Sequence, residues 1–183
     1  ALEAAIINGT GKAQPIGMMR DLSSVTDGVY AEKEAVPMLE FSPTEFGKMM
    51  AKVGEVKVGD EILQRSVSPD QVLMAVNPND YWLIVYPRIT VLNADGVYVQ
   101  TMPLPFKVIQ SVSVTKGKLV VGLGADYFLG LGSTLKLEAS DEYRFVEDER
   151  VYLAKQYGNG QPKSNEAYTV YDISSMSPTE SKK

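Results

Sequence analysis

Between Leu119 and Leu153 the chain reads LVVGLGADYFLGLGSTLKLEASDEYRFVEDERVYL, and this stretch constrains the fold more than any other. It opens on an apolar run and passes a glycine-spaced turn region. Leu135 and Leu137 then alternate with Lys136 and Glu138, the period of two that marks a half-buried strand. After the acidic patch Ser140-Asp141-Glu142, Arg150–Leu153 resumes β-type residues. Two strand-like pieces joined by a charged segment predict a sheet that the preceding chain must cover. Nothing within them resembles a catalytic constellation.

The remaining segments supply helices and further strands. Residues 1–7, ALEAAII, are strong helix formers without a cap or an initiator Met; they read as the last turns of a longer helix in a processed or truncated chain. Asn8-Gly9-Thr10-Gly11 ends that helix, Ile16, Met18 and Met19 dock the next segment, and Asp21–Glu34 reads as a polar loop. Ser42-Pro43-Thr44-Glu45 combines a cap, a proline at the first helical position and a capping-box glutamate. Phe46, Met49, Met50 and Val53 follow at i, i+3, i+4 and i+7, one apolar face, and Gly54 stops the helix. This face predicts core packing, the usual use of methionine in a helix.

Val56–Arg65 is polar and ambiguous. Val72–Val76 is a continuous apolar run, hence a buried strand, and Asn77-Pro78-Asn79-Asp80 caps a short helix through Tyr86. Ile89–Leu92 and Val97–Val99 flank Asn93-Ala94-Asp95-Gly96, a hairpin signal. Met102–Pro105 breaks regular structure, Phe106–Val114 reads as a strand, and Lys116-Gly117-Lys118 turns it into the long stretch above. Gln156–Glu166 reads as a loop, Ala167–Ile173 as a last strand and residues 174–183 as a disordered polar tail.

Composition narrows the chemistry. The 183 residues include no cysteine and no histidine, which removes disulfides, thiolate nucleophiles, imidazole bases and the usual zinc ligands. Acid–base work could rest only on Asp, Glu, Lys or Tyr. A net charge of −5 gives no basic footprint for nucleic acid. No apolar run approaches the roughly 20 residues of a membrane span. The first residues lack a basic stretch before an apolar core, so no secretory leader is expected.

Two glycine motifs fail on inspection. Gly122-Leu123-Gly124 follows an apolar strand, but Tyr127 stands where a dinucleotide fingerprint wants its third glycine, so the region reads as a turn. Gly9-Thr10-Gly11-Lys12 resembles the end of a phosphate loop, yet Ile6 replaces its first glycine and Ala13 its Ser/Thr. The acidic residues Glu138, Asp141, Glu142, Glu147, Asp148 and Glu149 lack calcium-loop spacing. Interleaved with Arg144 and Arg150, they read as a solvated face or an intersubunit salt-bridge patch. The candidate subunit interface is therefore Asp141, Glu142, Arg144, Glu147, Asp148 and Arg150, with no catalytic, metal or cofactor residue. Tyr143, Tyr152, Tyr157, Tyr168 and Tyr171 read as core or interface residues, since no basic groove accompanies them.

The order of these segments resembles the major capsid proteins of tailed phages. AIINGTGKAQPIGMM is similar to the end of that family's long spine helix and the turn after it. Val76-Asn77-Pro78-Asn79-Asp80-Tyr81-Trp82 resembles its strand-then-helix N-P-x-D element. Leu104-Pro105 with the following strand, Gly122–Asp126 and Leu135–Val146 resemble its return from axial to peripheral domain. The resemblance implies an α+β Hong Kong 97-like capsid fold with an axial domain and part of a peripheral domain. Residues 1–20 and 122–173 would be peripheral and 21–121 axial. It further implies a non-enzymatic homo-oligomer of pentamers and hexamers that tile an icosahedral shell with other capsid subunits. Such a shell encloses phage or prophage DNA without sequence-specific binding or membrane contact; the protein would occupy the virion, and the host cytoplasm during assembly. Some members crosslink a lysine to a peripheral asparagine; Asp148 stands at the matching position, so no crosslinking chemistry is implied. The family's N-terminal arm and extended loop are not represented, so the chain alone should be monomeric or weakly and salt-sensitively associated. An encapsulin, a bacterial compartment shell of the same fold with an enzyme cargo, is the alternative in mechanism. A carboxylate-dependent hydrolase, needing two convergent acids in a pocket, is the alternative in class.

Overall fold

The computed structural model describes residues 2–100, 104, 106–132, 136–140, 151–155 and 158–176. Helix α1 (Leu2–Asn8) leads to the hairpin strands β1 (Arg20–Thr26) and β2 (Val29–Glu32), then to β3 (Val36–Pro37). Helix α2 (Pro43–Val53) is followed by a second hairpin, β4 (Glu55–Val58) and β5 (Glu61–Gln64). Strand β6 (Val72–Val76) runs into a composite helix. Its α3 (Pro78–Asp80) and α4 (Tyr86–Ile89) segments are joined by a π-helical turn, Tyr81–Val85. There follow β7 (Thr90–Leu92), β8 (Tyr98–Gln100), β9 (Lys107–Gln110), β10 (Lys118–Leu123) and β11 (Tyr127–Leu131). The last strands are β12 (Lys136–Ser140), β13 (Val151–Lys155), β14 (Gly158–Pro162) and β15 (Tyr168–Asp172).

Five strands form the central sheet in the order β3-β15-β10-β6-β9. Strand β10 is antiparallel to both β6 and β15, while β9 runs parallel to β6 and β3 parallel to β15. Its side chains divide by the two-residue period. Val72, Met74, Val76, Leu119, Val121 and Tyr171 join one cluster with Phe46, Met49 and Val53 of α2 and Val85 and Ile89 of the composite helix. Ala75, Val120, Tyr168 and Val170 join another with Ile7, Met18 and Met19. The central strands are thus buried on both faces, which explains the unbroken apolar runs at 72–76 and 119–121.

Local chemistry agrees with the sequence at the helix starts. Ser42 accepts from the Glu45 N–H at 3.3 Å, and Asn77 accepts from the Asn79 N–H at 3.1 Å. Phe46, Met49 and Val53 are buried, with Met50 packed beside them. The composite helix extends past Tyr86 to Ile89, and its π-turn sits just before Pro87. Proline offers no N–H and crowds the carbonyl four residues back, so the turn widens and Tyr86 N–H donates to the Tyr81 carbonyl.

Several expectations need correction. Asp21–Glu34 is the β1–β2 hairpin rather than a loop, turning on Asp27 and Gly28 with φ of 52° and 77°. Val56–Arg65 contributes the β4–β5 hairpin. The strand expected over Phe106–Val114 ends at Gln110, and Val114 is buried in a turn beyond it. Gln156–Glu166 contains β14, paired with β11. The polar tail starts later than Ser174, because Met176 is buried against the sheet. Gly122 lies inside β10, where a Cβ would meet a ring carbon of Tyr168 at 2.3 Å; packing, not a turn, requires glycine there.

Candidate assembly surface

The acidic–basic candidates Asp141, Glu142, Arg144, Glu147, Asp148 and Arg150 lie outside the described residues. The strands on either side of them do pair, with Ser140 opposite Val151, so the two ends of that interval are held together. Tyr143 and Tyr157 also fall outside, whereas Tyr168 and Tyr171 are core residues. Tyr168 donates its hydroxyl to the Leu123 carbonyl at 2.6 Å, and burial pushes its ionisation well above the usual phenol range.

The surface that is described presents apolar side chains on two ribbons, β7–β8, which the sequence signalled as a hairpin, and β4–β5, which it left ambiguous. In β4–β5, Val56 pairs with Leu63 and Val58 with Glu61, so Val56, Val58 and Leu63 share one face of the ribbon. Val58 is 58% exposed and Leu63 is bare as well. In β7–β8, Val91 pairs with Val99 and Leu92 with Tyr98, so each face of that ribbon carries an apolar pair. Leu92 is 52% and Tyr98 71% exposed. The neighbouring composite helix adds Trp82, 54% exposed, with Leu83 and Tyr86. Trp82 lies 5.0 Å from Tyr81 and 5.2 Å from Tyr86 between ring centroids, an edge-on and tilted aromatic row. Clusters of this kind, unlike single exposed apolar residues, mark interaction sites. The β7–β8 hairpin was visible beforehand in its two β-rich runs and the Asn93–Gly96 turn; that both faces would be bare was not.

Two polar locks hold the β4–β5 and β1–β2 hairpins on the body. Arg65, directly after β5, donates through both terminal nitrogens to Asp126, at 3.1 Å through Nη1, and through Nη2 to the Val53 carbonyl at 3.3 Å. Asp126 is only 7% exposed, and this carboxylate keeps the guanidinium firmly charged. At the other hairpin, Lys33 donates to the Asn165 carbonyl at 2.6 Å and the Tyr168 carbonyl at 2.8 Å. Burial lowers its ammonium to about 8 despite the charges of Asp21 and Glu166. Asn165 completes this lock, accepting from Leu22 N–H at 3.0 Å and donating to Asp21 at 2.8 Å. No spacing rule links Lys33 to Asn165 or Arg65 to Asp126, and the sequence offered no signal for either.

Three carboxylates share a hollow of about 370 Å³, lined by Lys52, Glu55, Lys57, Asp60, Ile62 and Glu166. They are interleaved with lysines and open to water, an arrangement that does not desolvate an acid or base for catalysis. Among the described residues no group of three potential ligands could hold a metal ion, and no helix is long and apolar enough to cross a membrane.

No protein-family model matches the chain, and no curated protein matches it in sequence. Solved structures do. The capsid of an empty GTA particle computed with C5 symmetry superposes with a TM-score of 0.58 at 12% identity, covering 93% of this chain and 60% of the capsid chain. A virus-like particle from Pyrococcus furiosus gives 0.51 at 12% identity, covering 93% and 62%. The holo-SrpI encapsulin complex from Synechococcus elongatus gives 0.53 at 14% identity, covering 99% and 63%. The chain therefore spans about 60% of the length of the solved chains it matches. With its mixed five-stranded sheet, its few helices and its paired ribbons, the chain has the Hong Kong 97-like capsid fold.

Proposed function

We propose that the chain is a structural subunit of a closed protein shell. The observation that carries this reading is a capsid fold whose ribbons and helix face expose clustered apolar side chains. A shell subunit needs such faces, because each copy buries part of its surface only against its neighbours. In this reading the shell is a phage or prophage capsid of pentamers and hexamers around DNA. Residues 21–121 are its axial part, and 1–20 and 122–173 its peripheral part. The partition crosses the central sheet, whose β3, β6 and β9 come from the first and β15 from the second. The subunit holds its place by geometry and performs no turnover.

The encapsulin likeness, which covers 99% of this chain, keeps a second reading in view: a compartment shell with a protein cargo. Electron microscopy of the full-length protein tests the shared reading, closed shells being the expected result and a dispersed monomer at all concentrations the refutation. Contents then separate the two. Nucleic acid that resists nuclease until the purified shells are opened supports the capsid, and a co-purifying protein without nucleic acid supports the compartment.

A further inference from the structure

The β7–β8 hairpin is incomplete as it stands. Three residues per strand pair only with each other, and a lone two-stranded ribbon is marginal in water. Yet its turn is tightly ordered. Asn93 Oδ1 accepts from Asp95 N–H at 3.1 Å and Val97 N–H at 2.9 Å, and Gly96 takes a φ of 76°. The ribbon is thus preorganised, which lowers the entropy cost of docking. Between Ile89 and Gln100 the only charge is Asp95, at the tip.

Size decides what kind of partner fits. The hairpin and the aromatic helix face beside it leave on the order of 700 Å² of apolar surface bare, given 150–250 Å² for each aromatic alone. That is close to the ~800 Å² each partner contributes to a standard stable interface. A ring built by rotation uses two different patches per subunit, one offered and one receiving. Among the described residues, β4–β5 gathers three apolar side chains on one face, Val56, Val58 and Leu63, with Val56 and Leu63 opposed across the strands; β11–β14 offers Leu129 and Leu131 opposite glycines, and β1–β2 a single pair, Val25 and Tyr30.

Resting on the shell reading, we propose that the β7–β8 hairpin of one copy packs on the apolar face of β4–β5 of the next copy. The contact is heterologous: Leu92 and Tyr98 lie against Val58 and Leu63 of the neighbour, and repetition of the contact closes a ring. Arg65, fixed to Asp126, holds the receiving ribbon on the body.

The absence of cysteine makes the contact directly testable in the full chain. Tyr98→Cys, Leu63→Cys and the double variant are oxidised and resolved without reductant. The double variant should give a ladder of crosslinked multiples, each single variant none, and a mixture of the two singles dimers only. Disulfide dimers from Tyr98→Cys alone would show a two-fold contact and overturn the proposal. So would free maleimide labelling of Tyr98→Cys in assembled particles, since the hairpin would then face solvent or another protein. A second readout does not depend on disulfide geometry: Leu92→Glu with Tyr98→Glu should weaken association at least tenfold by sedimentation, while Val25→Glu on exposed β1 leaves it unchanged. Association that persists in the glutamate variant sinks this contact and leaves the shell reading standing. A wild-type chain that stays monomeric at every concentration, with no shells from the full-length protein, sinks the shell reading itself.

Discussion

Asp126 is the residue on which the receiving ribbon depends. It is nearly buried, and Arg65 is its only described ion-pair partner. Removing one member of such a pair leaves a charge without compensation, which costs more than the pair contributes when intact. Asp126→Ala should therefore lower unfolding free energy in urea by about 2–3 kcal/mol, and Asp126→Asn, which keeps one acceptor, by less. Lys33 makes a different prediction, because its charged form is the disfavoured one in the folded chain. The folded state loses the proton near pH 8, while an unfolded lysine keeps it to about 10.5. Between those values the unfolded state binds more protons, so stability rises with pH. Burial pushes Tyr127 and Tyr171 up to about 12, so their contribution falls only above pH 10, where unfolded tyrosine ionises first. Urea midpoints between pH 8 and 9.5 isolate the lysine. They should climb in the wild type and lie flat in Lys33→Met, which is also less stable overall because two carbonyls lose their donor.

Among the elements, legibility in the sequence tracked burial. Strands β6 and β10 are covered on both faces and announced themselves as apolar runs. Helix α2 carried its proline and its apolar face in eleven residues, with the cap Ser42 just before them. The β1–β2 hairpin has no buried face, so no period of two marked it; Asp27-Gly28 was the one signal that could have found it. The same holds for β4–β5, whose apolar face points outward. Of the candidate surface, the β7–β8 hairpin and the short helix before it were legible, whereas the polar locks join residues too far apart in sequence for any pattern to connect. Gly122 shows how a motif reading misplaces a glycine. It pairs with Tyr168, and an added Cβ would overlap that ring and the Ala167 carbonyl at 2.6 Å. Gly122→Ala should cost about 2–3 kcal/mol through overpacking, measured by urea unfolding. A cost below about 0.5 kcal/mol would mean that Tyr168 has room to move.

At the scale of the whole molecule, two kinds of contact compete to explain association, and salt separates them. The charged interval Asp141–Arg150 would act through exposed ion pairs worth roughly 0–1 kcal/mol each, screened over about 10 Å at 0.1 M salt. Apolar ribbons act through burial, which salt does not screen and which sulfate strengthens. Burial also weakens on cooling, because its driving force near room temperature is entropic. With Leu92, Tyr98, Val58 and Leu63 as bare as they are, apolar contact should dominate. Sedimentation in 0.05 M and 1 M sodium chloride, at about 5 and 25 °C, is the measurement. Association should survive high salt, strengthen in sulfate and loosen in the cold. Dissociation in 1 M salt would instead assign the contact to the charged interval, and the ribbons would then be bystanders in the assembly.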